Sequence, residues 1–91
     1  MIEARYQRHP DVRMTELEGE GVVLHLGERR YFSLNESGVT MLRALETPQS
    51  LADLVGLLQQ EYEVSADQAD LAAQAFVEQC LASAVVVELG K

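Results

Sequence analysis

The stretch Arg30-Tyr31-Phe32-Ser33-Leu34-Asn35-Glu36-Ser37-Gly38 decides the fold, because the hydrophobic pattern changes character at Asn35. Before it, apolar residues alternate as they do on a strand with one covered face. Phe32 and Leu34 share a face of a strand over 29–34. Val22 to Leu26 alternates too, with Val22, Leu24 and Leu26 on one side and Val23 and His25 on the other, while Val12 to Leu17 makes a shorter, looser strand. Glu18-Gly19-Glu20-Gly21 and Gly27-Glu28 supply the turns. The three strands read as an antiparallel meander with the third at an edge. How its faces align with those of the second strand depends on whether the turn holds a bulge, which the sequence leaves open.

After Asn35 the spacing becomes helical. Asn35 is a suitable N-cap for a helix carrying Val39, Leu42 and Leu45, and Thr47-Pro48 ends it. Ser50-Leu51-Ala52-Asp53 has the form of a capping box, followed by a stripe of Leu51, Leu54, Val55 and Leu58. Ser65-Ala66-Asp67-Gln68 is a second box and opens the longest helix, with Ala69, Ala73, Phe76, Val77, Cys80 and Ala84 along one side. Val85 to Leu89 reads either as a brief strand or as a packed tail. Residues 1–91 thus form one α+β domain of winged helix-turn-helix-like arrangement: a three-stranded antiparallel sheet followed by three helices that cover the sheet's apolar face. Residues 1–9 are expected to be flexible.

Charge and composition exclude whole classes of function. Fifteen acidic against seven basic side chains give a formal net charge of -8, which opposes the phosphate contacts on which nucleic-acid binding depends. The core is aliphatic, with 13 Leu, 10 Val and 10 Ala and no Trp. No apolar run approaches the ~20 residues of a membrane span, and the first ten residues lack the apolar region of a signal peptide. Neither a nucleic acid nor a membrane is an expected partner, and the cytoplasm is the expected compartment. A lone cysteine, Cys80, cannot close an internal disulfide.

Chemistry is sparse. His9 and His25 stand beside no nucleophile in a recognisable motif, and one cysteine with two scattered histidines does not make a zinc site. No glycine-rich phosphate loop is present, since Gly19-Glu20-Gly21 reads as a turn. The expectation is no catalytic residue, no metal and no cofactor. Cys80, on the apolar stripe, reads as a small hydrophobe.

Two features remain. The first is the third strand, Arg29, Arg30, Tyr31, Phe32, Ser33 and Leu34, whose edge either is blocked by its arginines or receives an added strand. The second is the long helix, which holds seven of the ten alanines and carries Asp67, Asp70, Gln74 and Glu78 on one flank, with Leu71 toward solvent.

The segments His9-Pro10-Asp11-Val12, Arg30 to Gly38, Ser50-Leu51-Ala52-Asp53-Leu54 and Glu61-Tyr62-Glu63-Val64, in this order, resemble the PqqD-like family, also called the RiPP recognition element. The likeness runs from about residue 9 to residue 87 and is sharpest in the Tyr-Phe-x-Leu-Asn-x-x-Gly stretch. It implies a small non-catalytic domain that binds the leader of a ribosomally made precursor peptide as an antiparallel strand, in a cleft between third strand and third helix. Carried over, it assigns leader binding to Arg29, Arg30, Tyr31, Phe32, Ser33 and Leu34, and side-chain selection to Asp67, Asp70, Leu71, Gln74 and Glu78. Discrete members of this size resemble the recognition proteins of lasso-peptide pathways, which pass the precursor to a leader peptidase and a cyclase. Members serving quinone-cofactor synthesis differ in strand pattern. Many relatives have Gly where the long helix ends, and here the stretch reads Ala82-Ser83-Ala84.

The sequence therefore favours a peptide-binding protein over an enzyme. Arg29 and Arg30 suit leader carboxylates, Asp67 and Asp70 suit leader cations, and the sequence does not decide between them. Arg29, Arg30 and Arg43 gather near the third strand and the acidic residues on the long helix, so opposite charges are expected on the two cleft walls. The alternatives are a peptide chaperone of another such pathway and a winged-helix DNA-binding regulator. The latter requires a basic recognition helix, and residues 65–84 contain no Lys or Arg. An edge that accepts a peptide also accepts its own copy, so a homodimer is among the expected states.

Overall fold

A computed structural model describes residues 4–89. The elements follow in the order β1 (Arg5–Arg8), β2 (Val12–Leu17), β3 (Glu20–His25), β4 (Arg30–Leu34), α1 (Glu36–Ala44), β5 (Gln49–Ser50), α2 (Leu51–Glu61), α3 (Ala66–Ala82) and β6 (Val86–Leu89). They build two three-stranded antiparallel sheets, ordered β2-β3-β4 and β5-β1-β6, rather than the single sheet expected.

The meander is β2-β3-β4. Glu18 (φ 49°) and Gly19 (φ 82°) both adopt the left-handed conformation, so the first hairpin closes on two residues, with Leu17 opposite Glu20. The second hairpin spans four residues between His25 and Arg30. Its register places Phe32 opposite Val23 and Leu34 opposite Gly21. Val12, Met14, Val23, His25, Phe32 and Leu34 therefore share the face turned to the helices. The opposite face keeps Val22, Leu24 and Tyr31 in solvent. Judged on residues 22–26 alone, the side with Val22, Leu24 and Leu26 looks like the covered one; summed across three paired strands, the Val23 side is the more apolar.

Asn35 begins α1 as expected, its Oδ1 accepting from the Gly38 N–H at 2.9 Å. Gly38 fits closely there, because a Cβ would stand 3.3 Å from both Leu34 Cβ and Phe76 Cε1. The Leu34–Gly38 joint thus sets α1 against both β4 and α3. Both capping boxes form: Ser50 with Asp53 opens α2, and Ser65 with Gln68 opens α3. Leu42, Leu45 and Leu54 are fully buried at the centre of the core.

The N-terminal segment differs from its expected flexibility. Arg5 to Arg8 pair with β6 through four residues, and Arg5 and Tyr6 also pair with β5. The Arg8 N–H donates to the Leu45 carbonyl at 2.7 Å, and its guanidinium pairs with Glu46 at 3.2 Å. Only Tyr6 among these four residues is apolar, so no alternation marks a strand whose partners lie some 40 and 80 positions away. Residues 1–3, the rest of the segment expected to be flexible apart from Ala4 and His9, lie outside the described part. His9 itself packs against the His25 ring, and His25 is 2% exposed.

Candidate functional site

The β4 strand is the outer strand of its sheet, with β3 on one side and, among the described residues, no strand on the other. Its free N–H and C=O groups border a groove of about 390 Å³ that continues to the C-terminal half of α3. Arg30, Phe32 and Leu34 form the strand wall, Phe76, Gln79, Cys80, Ala82 and Ser83 the helix wall, and Val23 and Val85 the floor. Alternation along β4 explains the strand wall, since these residues point inward while Tyr31 and Ser33 point out. Tyr31 is 76% exposed on the outer face.

The helix wall arises from where α3 stops. Ser83 caps the helix, the Ala84 N–H donates to the Leu81 carbonyl at 3.2 Å and the Val85 N–H to the Cys80 carbonyl at 2.9 Å. These two bonds form a Schellman motif with Ala84 in its left-handed position, φ 61°. Glycine suits that position without steric cost, and here an alanine occupies it. The sharp stop brings Val85 under the groove and sends Val86 into β6.

Electrostatically the groove has one charged lining residue, Arg30. Its guanidinium carbon lies 5.4 Å from the Phe32 ring centroid, a cation-π distance. The Cys80 thiol opens on the apolar wall, where burial pushes its pKa from 9.0 up to about 12. A thiol so disfavoured as thiolate is a poor nucleophile at neutral pH. Among the described residues no three His, Cys, Asp or Glu gather to hold a metal ion, and no helix is long and apolar enough to cross a membrane.

The structure brings together only part of the residue set expected from the sequence. Arg30, Phe32 and Leu34 line the groove; Tyr31 and Ser33 belong to the free strand but face outward; Arg29 sits in the preceding loop with φ 55°. None of Asp67, Asp70, Leu71, Gln74 and Glu78 lines the groove. All five are exposed, and Asp70 accepts a hydrogen bond from Gln74 at 2.7 Å. Arg43 also lies elsewhere, paired with Glu16 of β2. The expected separation of charge across the cleft is thus absent from the groove, whose α3 side is neutral. Sequence reading passed over Gln79 and Ser83, although they follow Phe76 at three- and seven-residue intervals on one helix face.

Residues 20–86 match the PqqD family, described as coenzyme PQQ synthesis protein D. The chain belongs to the PqqD family. The matched span runs from β3 to the first residue of β6 and contains the whole groove, whereas β1 and β2 precede it. Two solved structures share the fold of this PqqD family member. One is TbiB1 in complex with the TbiA(beta) leader peptide, with a TM-score of 0.82 and 20% identity over 93% of this chain and 99% of that one. The other is lasso peptide synthetase B1 complexed with the leader peptide, with a TM-score of 0.76 and 22% identity over 90% of this chain and 96% of that one. No curated protein matches the sequence.

Proposed function

We propose that this chain is a non-catalytic recognition protein that binds the leader segment of a ribosomally made precursor peptide and presents it to the leader peptidase and cyclase of a lasso-peptide pathway. The observation that carries the reading is the free β4 edge lying beside an apolar groove. An extended peptide added antiparallel to Arg30–Leu34 satisfies backbone groups on both strands, and its alternate side chains enter the groove. Each net backbone hydrogen bond contributes about 0.5–1.5 kcal/mol with little regard to sequence. Selection then falls to anchors packed between Phe32, Leu34 and Phe76. Support comes from the shared fold of two proteins whose structures contain leader peptides.

The reading keeps Arg29 to Leu34 as the strand surface and takes Phe76, Gln79 and Ser83 as the helix surface. The exposed flank of Asp67, Asp70, Leu71, Gln74 and Glu78 serves a leader that continues beyond the groove. Titration of isotope-labelled protein with the leader of the precursor encoded beside its gene is the test. Backbone amides of residues 30–34 shift on saturation if strand addition occurs, and unmoved amides refute it. Leu71→Glu separates the two surfaces, because unchanged affinity removes the outer flank from the site. The family description favours a second reading, a peptide carrier in a quinone-cofactor pathway, and titration with that pathway's precursor peptide distinguishes the two.

A further inference from the structure

The groove departs from the molecule's overall charge. The chain carries -8, yet no carboxylate lines the groove and its single charged residue is the cation Arg30. Among the described residues, Arg8 pairs with Glu46 and Arg43 with Glu16, and Arg13 donates to the Pro10 and Val12 carbonyls. Arg30 has no carboxylate within ion-pair distance and donates no hydrogen bond to the described protein. Phe32 holds its guanidinium from below by the ring face. The five donors of the guanidinium therefore remain available to a ligand.

We infer that Arg30 is the specificity-determining residue of the groove, selecting extended peptides that carry Asp or Glu close to the apolar anchor that fills the Phe32–Phe76 pocket. The inference rests on the peptide-binding reading above and adds the chemical class of the peptide. Arg30 and Phe32 lie two positions apart on one face of β4, so a carboxylate one pleat from the anchor on the added strand lies opposite the guanidinium. A two-pronged Arg–carboxylate contact beside an aromatic face is stronger than an exposed ion pair. The other polar lining groups do not substitute for it. Ser83 Oγ already donates to the Gln79 carbonyl at 2.8 Å, and Gln79 is neutral. The acidic α3 residues lie outside the groove, so a local preference for acid is compatible with a net negative protein once salt screens the distant charges over ~8 Å at physiological ionic strength.

The test is selection of random dodecapeptides displayed on their own mRNA against the full chain at 0.15 M salt, followed by amide-shift mapping of the enriched peptides. Peptides that move the amides of residues 30–34 are expected to be enriched in Asp or Glu within three positions of an aromatic or aliphatic anchor. Arg30→Gln is expected to weaken them about ten-fold, and Arg30→Glu to shift enrichment toward Lys and Arg. Arg5→Gln, which makes the same charge change on β1, is expected to leave affinity unchanged. Peptides that move those amides without an acidic preference, or with one that Arg30→Gln leaves intact, overturn this inference alone. If no enriched peptide moves those amides, strand addition falls with it. Amide spectra of each variant establish that it is folded before binding is compared.

Discussion

The imidazole rings of His9 and His25 lie with centroids 4.6 Å apart and planes tilted by 44°, joining the turn after β1 to the end of β3. Each ring uses Nδ1 as an acceptor: His9 takes the Asp11 N–H at 3.0 Å and His25 the Glu28 N–H at 3.1 Å. Both neutral rings therefore carry their proton on Nε2, and that of His25 is buried without a partner. The pair fastens the link between the two sheets to the loop that leads into β4, and so fixes where the free β4 edge begins.

Removing the His25 ring should open that corner. His25→Ala is expected to cost about 2–3 kcal/mol by denaturant unfolding, from lost packing and a freed Glu28 N–H. His25→Phe keeps an aromatic ring and eliminates the orphaned Nε2–H but frees the same Glu28 N–H, so its loss should be smaller than that of His25→Ala. Equal losses would show that the hydrogen bond, not the ring, holds the loop.

Ala84 bears a side chain in a left-handed position at the end of α3. Ala84→Gly should raise stability by about 1 kcal/mol, read as a higher midpoint with an unchanged denaturant slope. Lower stability would mean that the entropy of the unfolded glycine chain outweighs the relieved strain.

Two helical glycines should respond with opposite signs. A Cβ at Gly56 meets nothing within 4 Å, so Gly56→Ala is expected to stabilise by about 0.5–1 kcal/mol through helix propensity. At Gly38 a Cβ stands 3.2 Å from Asn35 Oδ1 and 3.3 Å from Leu34 and Phe76. Asn35 is held by its cap, Leu34 by its strand and Phe76 by the groove, so Gly38→Ala should cost about 1 kcal/mol despite alanine's propensity. Thermal unfolding of both variants checks the contrast.

Cys80 makes stability depend on alkali. Its thiol has a pKa of about 12 when folded against 9.0 ordinarily. Above pH 9 the unfolded chain loses this proton and the folded one keeps it, so the unfolded state gains. The contribution is complete below pH 9 and is lost as pH rises toward 12, at roughly 1 kcal/mol per pH unit. The slope difference between wild type and Cys80→Ala over that range isolates it. The same burial predicts slow reaction with a thiol reagent at pH 8, slower still when a peptide fills the groove.

Local signals in the chain were sufficient for the parts they govern. Asn35, Ser50 and Ser65 each cap a helix because their side chains satisfy amides only three residues away. Gly19 at the first hairpin and the alternation through Phe32 and Leu34 likewise placed a meander and its edge strand. The Arg5–Arg8 strand had no such signal, since its pairing with Val86–Leu89 is a property of the folded chain.

The candidate site divides along the same line. Sequence alone determined that β4 is an edge strand and that Arg30, Phe32 and Leu34 share a face, because strand periodicity is intrinsic to the backbone. Only the tertiary structure decided which flank of α3 faces that strand. The acidic flank and the Phe76–Gln79–Ser83 flank have equally regular helical spacing, and neither periodicity nor charge distinguishes them. Packing does: Leu34 and Gly38 bring Phe76 toward β4, and the left-handed turn at Ala84 places Val85 beneath the groove. The free edge of β4 is therefore written locally, whereas the wall opposite it depends on contacts between residues far apart in the chain.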